Sequence, residues 1–114
     1  MAKGWYELNK NDKGQFFFNL KAGNAQVILR SQMYKTAASA KGGIASTQNN
    51  CKSDAMFEMK VAKNDKFHFN LKAKNKQIIG SSQMYASEAS AQKGIQSVKV
   101  NGVSKTVKDL TRQA

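Results

Sequence analysis

The chain has 114 residues, of which 40% are hydrophobic and 23% charged, enough apolar material for the core of one domain. Its net charge of +12, from 19 basic and 7 acidic residues, favours contact with polyanions. A single cysteine, no proline and no apolar run near the roughly 18 residues of a membrane span argue against a disulfide scaffold, a Pro-rich linker and a transmembrane helix.

The opening Met-Ala-Lys-Gly-Trp-Tyr-Glu carries no apolar run, so no secretory signal is expected and a cytoplasmic location is. Tyr6 and Leu8 then alternate with Glu7, the pattern of a half-buried strand. Asn11-Asp12-Lys13-Gly14 has turn chemistry, and Phe16, Phe18 and Leu20 fall on one face of a second strand, which predicts a hairpin. Ala22-Gly23-Asn24 turns the chain into a third short strand, Gln26 to Arg30. Beyond Tyr34 the period lengthens. Thr36 is a natural N-cap, and Ala40, Ile44 and Thr47 lie on one helical face. Gly43 sits mid-helix, where glycine costs roughly 1 kcal/mol against alanine, and so points to a close helix–sheet approach. The helix is expected to end at Asn49-Asn50, where left-handed conformations are tolerated.

The whole series then returns at an offset of 51 residues. Asn19-Leu20-Lys21-Ala22 reappears as Asn70-Leu71-Lys72-Ala73, and Ser31-Gln32-Met33-Tyr34 as Ser82-Gln83-Met84-Tyr85. Gly43-Ile44 reappears as Gly94-Ile95, and close to half of the paired positions are identical without a gap. Phe57 and Met59 flank Glu58 as Tyr6 and Leu8 flank Glu7. Lys63-Asn64-Asp65-Lys66 makes the second hairpin turn, Ser87 caps the second helix, and Ala91, Ile95 and Val98 form its apolar face, ending at Asn101-Gly102. Val103 to Leu110 alternates and reads as one last strand. Its match, Ala55 to Met59, is also the opening strand of the second unit, so one strand serving both would weld the halves. The expected fold is α+β: tandem β-β-β-α-β units forming one mainly antiparallel sheet, with two helices on one face. Residues 1–114 make a single domain of two repeats, about 4–52 and about 55–110, each too short to bury a good core alone.

The Trp5-Tyr6-Glu7 start, the NLKAGNAQVIL and NLKAKNKQIIG blocks, SQMY before each helix, GI within it and the closing Lys108-to-Thr111 KDLT resemble the YegP-like family, small bacterial proteins of unknown function. The resemblance covers essentially the whole chain. It implies a single sheet with C-terminal strands exchanged between units, built from tandem repeats or from a dimer of single repeats. It implies no activity.

No residue carries a catalytic or metal-binding signature. His68 alternates with Phe67 and Phe69, and without a second histidine it reads as a sheet-surface residue rather than a ligand. Cys51 follows a helix C-terminus in what reads as a polar link, which disfavours its thiolate. Lys41-Gly42-Gly43 lacks phosphate-loop spacing. Glu7 and Glu58 fit solvated strand faces paired with cross-strand lysines. The repeated Asn19/Asn70, Lys21/Lys72, Gln32/Gln83 and Tyr34/Tyr85 mark either two copies of a binding site or turn and cap duties that the fold needs twice, and the second reading is favoured.

Lys60, Lys63, Lys66, Lys72, Lys74 and Lys76 crowd the second unit and are the candidate polyanion-binding set. Phe67 and Phe69 interleave with them but share the phase of Leu71, which argues against a base-stacking platform. All but two of the basic residues, Arg30 and Arg112, are lysines, which suits backbone contact rather than base reading. The sequence does not name a biochemical function; the expectation is a small, basic, non-catalytic binding or structural domain. It is expected to need no cofactor or metal and to be monomeric because duplication supplies both halves. The binding reading considered first is weak contact with nucleic acid or another polyanion, without sequence preference. The alternative is a protein–protein adaptor using a sheet edge or face.

Overall fold

The computed structural model describes residues 4–111. The elements run β1 (Trp5–Lys10), β2 (Phe16–Lys21), β3 (Val27–Ser31), α1 (Ala37–Asn50), a 3-10 turn (Asp54–Met56), β4 (Phe57–Val61), β5 (Phe67–Lys72), β6 (Ile78–Ser81), α2 (Glu88–Asn101) and β7 (Val107–Asp109). The strands form one seven-stranded sheet in the order β4-β5-β6-β3-β2-β1-β7. Every neighbouring pair is antiparallel except β1 and β7, which run parallel.

The duplication is visible in the register. Tyr6 pairs with Leu20 and Leu8 with Phe18; 51 residues on, Phe57 pairs with Leu71 and Met59 with Phe69. The halves meet at β3 and β6, where Arg30 faces Ser81 and Ser31 faces Gly80. The two repeats diverge at this seam for a steric reason. A Cβ at Gly80 would stand 2.7 Å from the Arg30 carbonyl oxygen and 3.2 Å from the Leu29 side chain. Leu29, the counterpart of Gly80, is fully buried and fills that space alone.

The last strand is shorter than the alternation suggests. Ser104 and Thr106 are tied into turns, with Ser104 N–H donating to Asn101 O at 3.0 Å and Thr106 N–H to Ser104 Oγ at 3.2 Å. The chain straightens only at Val107, and β7 then lies along β1. In the first unit the matching stretch is a 3-10 turn followed by β4, and β4 pairs with β5 alone. It therefore opens the second unit without closing the first. The strand exchange is made once, by β7, and the weld comes from β3–β6 pairing rather than from a shared strand.

Both helices start as the capping residues dictate: Thr36 Oγ1 accepts from Ser39 N–H, and Ser87 Oγ accepts from Ser90 N–H. Ala40, Ile44 and Thr47, like Ala91, Ile95 and Val98, are buried against one face of the sheet, together with Tyr6, Leu8, Phe18, Leu20, Phe69 and Leu71. The glycines permit this approach. A Cβ at Gly43 would fall 2.9 Å from the Phe18 ring and closer still to the Tyr34 hydroxyl, and Gly94 meets Tyr85 and Phe69 in the same way. The helix ends differ from expectation. Cys51 and Gly102 close them in right-handed conformation, φ −67° and −66°, because each N–H still reaches a helical carbonyl, of Thr47 and Val98. Left-handed backbone appears instead in the hairpin turns, at Gly14 and Asp65 and at Ala25 and Lys76.

Much of the repeated SQMY motif serves this scaffold. Ser31 Oγ accepts from Phe18 N–H at 2.8 Å and donates to Gln32 O; Ser82 does the same for Phe69 and Gln83. Tyr34 and Tyr85 bridge the backbones of Phe16 and Phe67, and their rings stack on Phe18 and Phe69 at 6.4 and 6.3 Å.

Candidate functional site

With the helices on one side, no described element covers the other side of the sheet. Alternation sends Trp5, Glu7, Phe17, Asn19, Lys21 and Arg30 of the first unit to this open face, and Glu58, Lys60, His68, Asn70, Lys72 and Ser81 of the second. Pairing across the seven strands aligns Lys108, Glu7, Asn19, Arg30, Ser81, Asn70 and Glu58 in one polar row.

Each half of the row is cross-linked. Lys21 Nζ lies 3.1 Å from Glu7, whose other oxygen accepts from the Trp5 indole N–H at 3.0 Å. The indole hydrogen bond, then Lys21 and Lys108, hold the Glu7 carboxyl below its ordinary range. In the second unit Lys72 lies 3.1 Å and Lys60 3.6 Å from Glu58, which lowers that carboxyl as well. Asn19 Oδ1 accepts from Arg30 Nε at 3.2 Å, and Asn70 Oδ1 accepts from Ser81 Oγ at 2.6 Å. Both asparagines are buried beneath their neighbours.

Three rings stand among these charges. The Arg30 guanidinium lies over Phe17 at 5.2 Å and the Lys108 ammonium over Trp5 at 4.4 Å, both within cation–π range. His68 pairs with Lys60 across the strands, and its Nδ1 is buried without a hydrogen-bond partner among the described residues. Phe17, Trp5 and His68 are half-buried.

The lysines singled out from the sequence do not form one patch. Lys60 and Lys72 belong to the open face and share Glu58. Lys63 and Lys66 sit in the β4–β5 turn, one length of β5 away from Lys74 and Lys76 in the β5–β6 turn, on the order of 20 Å. Two shallow cavities, of about 730 and about 760 Å³, lie between that turn and α1; both take in Ser46 and Asn75, with Lys76 lining the first and Lys74 the second. Of the repeated polar residues, Asn19/Asn70 and Lys21/Lys72 meet on the open face. Tyr34/Tyr85 pack beneath the helix glycines, and Gln32 and Gln83 are exposed. Phe69 belongs to the helix-side core and Phe67 shares its phase along β5, but Trp5 and Phe17 supply rings in the opposite phase. The signal was there: Phe17 is the out-of-phase member of Phe16-Phe17-Phe18.

Cys51 is not in a polar link. It is fully buried against Gly102, where burial pushes its thiol up. Beside it the Tyr6 hydroxyl donates to the Gly102 carbonyl at 2.6 Å, tying the first strand to the end of α2. Among the described residues no three His, Cys, Asp or Glu side chains come together to hold a metal, and no helix is long and apolar enough to cross a membrane.

The comparison with known proteins fits this duplicated architecture. Residues 11–58 and 62–109 each match the sequence profile of DUF1508, a domain of unknown function. The chain belongs to the DUF1508 family. In this family's frame, each repeat ends on the stretch that corresponds to β7, at Glu58 and at Asp109. Family relatives include a UPF0339 protein of Acinetobacter baylyi, 60% identical over 108 residues, covering 95% of this chain and 97% of that one. YegP of Escherichia coli K12 is 56% identical over 95% of this chain and 98% of its own. The solution NMR structure of E. coli yegP superposes with a TM-score of 0.94 at 53% identity, covering 100% of this chain and 98% of that one. A UPF0339 protein of Shewanella oneidensis superposes with a TM-score of 0.92 at 54% identity, over 96% and 93% of the two chains. The E. coli protein is described as one of unknown function, so the likeness supplies a fold and no activity.

Proposed function

We propose that the protein is a non-catalytic, cytoplasmic binding domain that holds single-stranded nucleic acid against the open face of its sheet. The observation that carries this reading is the interleaving of rings and cations on a face no described helix covers: Trp5 under Lys108, Phe17 under Arg30, and His68 beside Lys60. Base–aromatic stacking contributes about 1–3 kcal/mol per base, and every base has a face to offer. Cations already positioned over the rings can meet phosphates or stack on the exposed side of a base. The two carboxylates of the polar row, Glu7 and Glu58, are already ion-paired with Lys21 and Lys72 beside it, so their desolvation is partly offset before any ligand arrives. Such a surface discriminates poorly among sequences, and the net charge of +12 adds a long-range attraction. The domain acts as a monomer in this reading, since the tandem units already supply both halves of the sheet.

Fluorescence anisotropy of labelled single-stranded RNA and DNA, titrated from low to physiological salt, tests the proposal. The expected result is binding whose logarithm falls linearly with log salt, weakened by Phe17→Ala and Trp5→Ala, which change no charge. Binding that ignores both ring substitutions would reduce the interaction to bulk charge and contradict the stacking face.

A further inference from the structure

We propose that the free edge of β4 accepts an extended segment of a partner protein, which adds parallel to β4 as β7 adds to β1. The duplication itself describes the occupant. β1 and β4 are the same strand of the two repeats, paired in the same register with β2 and β5. β1 has a second neighbour, with Tyr6 opposite Val107, Glu7 opposite Lys108 and Leu8 opposite Asp109. Its outward groups are bonded, Tyr6 N–H to Thr106 O at 2.9 Å and Leu8 O from Leu110 N–H at 2.8 Å. Among the described residues β4 ends the sheet with no such neighbour.

The stretch that would fill this place by analogy is used elsewhere. The residues matching Val107–Asp109 are Met56–Glu58, and they are spent on the 3-10 turn and on β4. The side chains show what is missing: Tyr6 and Leu8 are fully buried, whereas Phe57 and Met59 are only partly covered and Val61 is 63% exposed. The 3-10 turn blunts one end of the edge, where Phe57 N–H is taken by Asp54 O. Beyond it the outward N–H and C=O of Met59, the counterparts of bonded groups on Leu8, meet no partner among the described residues. Lys60 does not shield them, since its side chain turns to the open face beside Glu58. An edge that presents unpaired backbone groups next to half-covered apolar residues is the receiving half of strand addition, in which main-chain bonds bring affinity and alternate side chains bring selectivity.

The template specifies the partner segment: extended, with a β-branched apolar residue opposite Phe57 on the helix side and a basic residue opposite Glu58 on the open side, as Val107 and Lys108 stand to Tyr6 and Glu7. The probe is a capped peptide with the sequence of Lys105–Thr111, added to the intact isotope-labelled protein and followed by amide chemical shifts. Saturable shifts confined to Phe57 through Val61 are expected. A scrambled peptide should leave them unmoved, and so should the β7 peptide added to Met59→Pro, which removes the outward N–H of an edge strand without touching the β5 ladder. If Met59→Pro disturbs shifts across the sheet, Val61→Pro takes its place. Three results would overturn the proposal: no shift at large peptide excess, shifts at Tyr6–Leu8 instead (displacement of β7), or the same β4 shifts on raising protein concentration alone (a second copy on the edge).

Discussion

The Tyr34 hydroxyl occupies the space that a side chain on Gly43 would need. The ring cannot swing aside, because it stacks on Phe18 at 6.4 Å and its backbone is bridged to Phe16. The neighbouring Gly42 has nothing within 4 Å of its missing Cβ. Two adjacent helical glycines should thus respond oppositely. Gly42→Ala should stabilise by up to about 1 kcal/mol through helix propensity. Gly43→Ala should destabilise by about 1–2 kcal/mol, as overpacking outweighs that gain. Urea unfolding of both, with Tyr34→Phe added to Gly43→Ala, checks the cause: removing the hydroxyl should recover part of the loss.

Ala25 and Lys76 hold φ of 69° and 68° at matched positions of the two β-turns that precede β3 and β6. A left-handed L-residue costs roughly 1–2 kcal/mol, and glycine escapes most of this while losing more freedom on folding. Ala25→Gly and Lys76→Gly should each raise stability by about 0.5–1 kcal/mol in chemical denaturation. Asp65→Gly should behave alike, since its counterpart is already Gly14. Destabilisation by all three would contradict the turn geometry.

Acid should weaken the fold partly through Glu7. Its carboxyl lies below the ordinary 4.5 because the Trp5 indole and then Lys21 favour the charged form. A depressed folded value means the contribution is complete above the unfolded value and disappears as pH falls through the folded one. Wild-type stability should therefore decline from about pH 5 downward, and Glu7→Gln, which cannot ionise, should show a shallower decline over the same window. Equal slopes in urea midpoints measured across that window would remove Glu7 from the account.

Cys51 should be inert in the folded protein. Its thiol is fully buried and shifted away from thiolate. Labelling by a disulfide reagent should be slow in native buffer and immediate in denaturant, with the native rate following global opening. Rapid native labelling would mean that the contact between Cys51 and Gly102 opens locally.

The architecture was largely legible because its signals are local and occur twice. Phe16/Phe18/Leu20 and Ala40/Ile44/Thr47 state their periods, Thr36 and Ser87 announce the helix starts, and the offset of 51 makes each reading check the other. What was hidden depends on long-range placement. No local pattern shows that Ala55–Met59 turns away to form β4 while its duplicate crosses to β1. Lysines close in sequence separate because β5 carries Lys66 and Lys74 to opposite ends of the sheet. The rings at Trp5 and Phe17 look incidental until the register brings Lys108 and Arg30 over them from other strands. Cys51 reads as linker from its polar neighbours, and only the packing of Gly102 against it shows a core residue.

Amide and indole chemical-shift mapping with an unlabelled single-stranded oligonucleotide tests the central claim most directly. The open-face reading predicts shifts at the Trp5 indole and at Phe17, Asn19, Arg30, His68 and Asn70, with α1 and α2 unmoved. Shifts confined to the turn lysines Lys63, Lys66, Lys74 and Lys76, or to the helices, would contradict it.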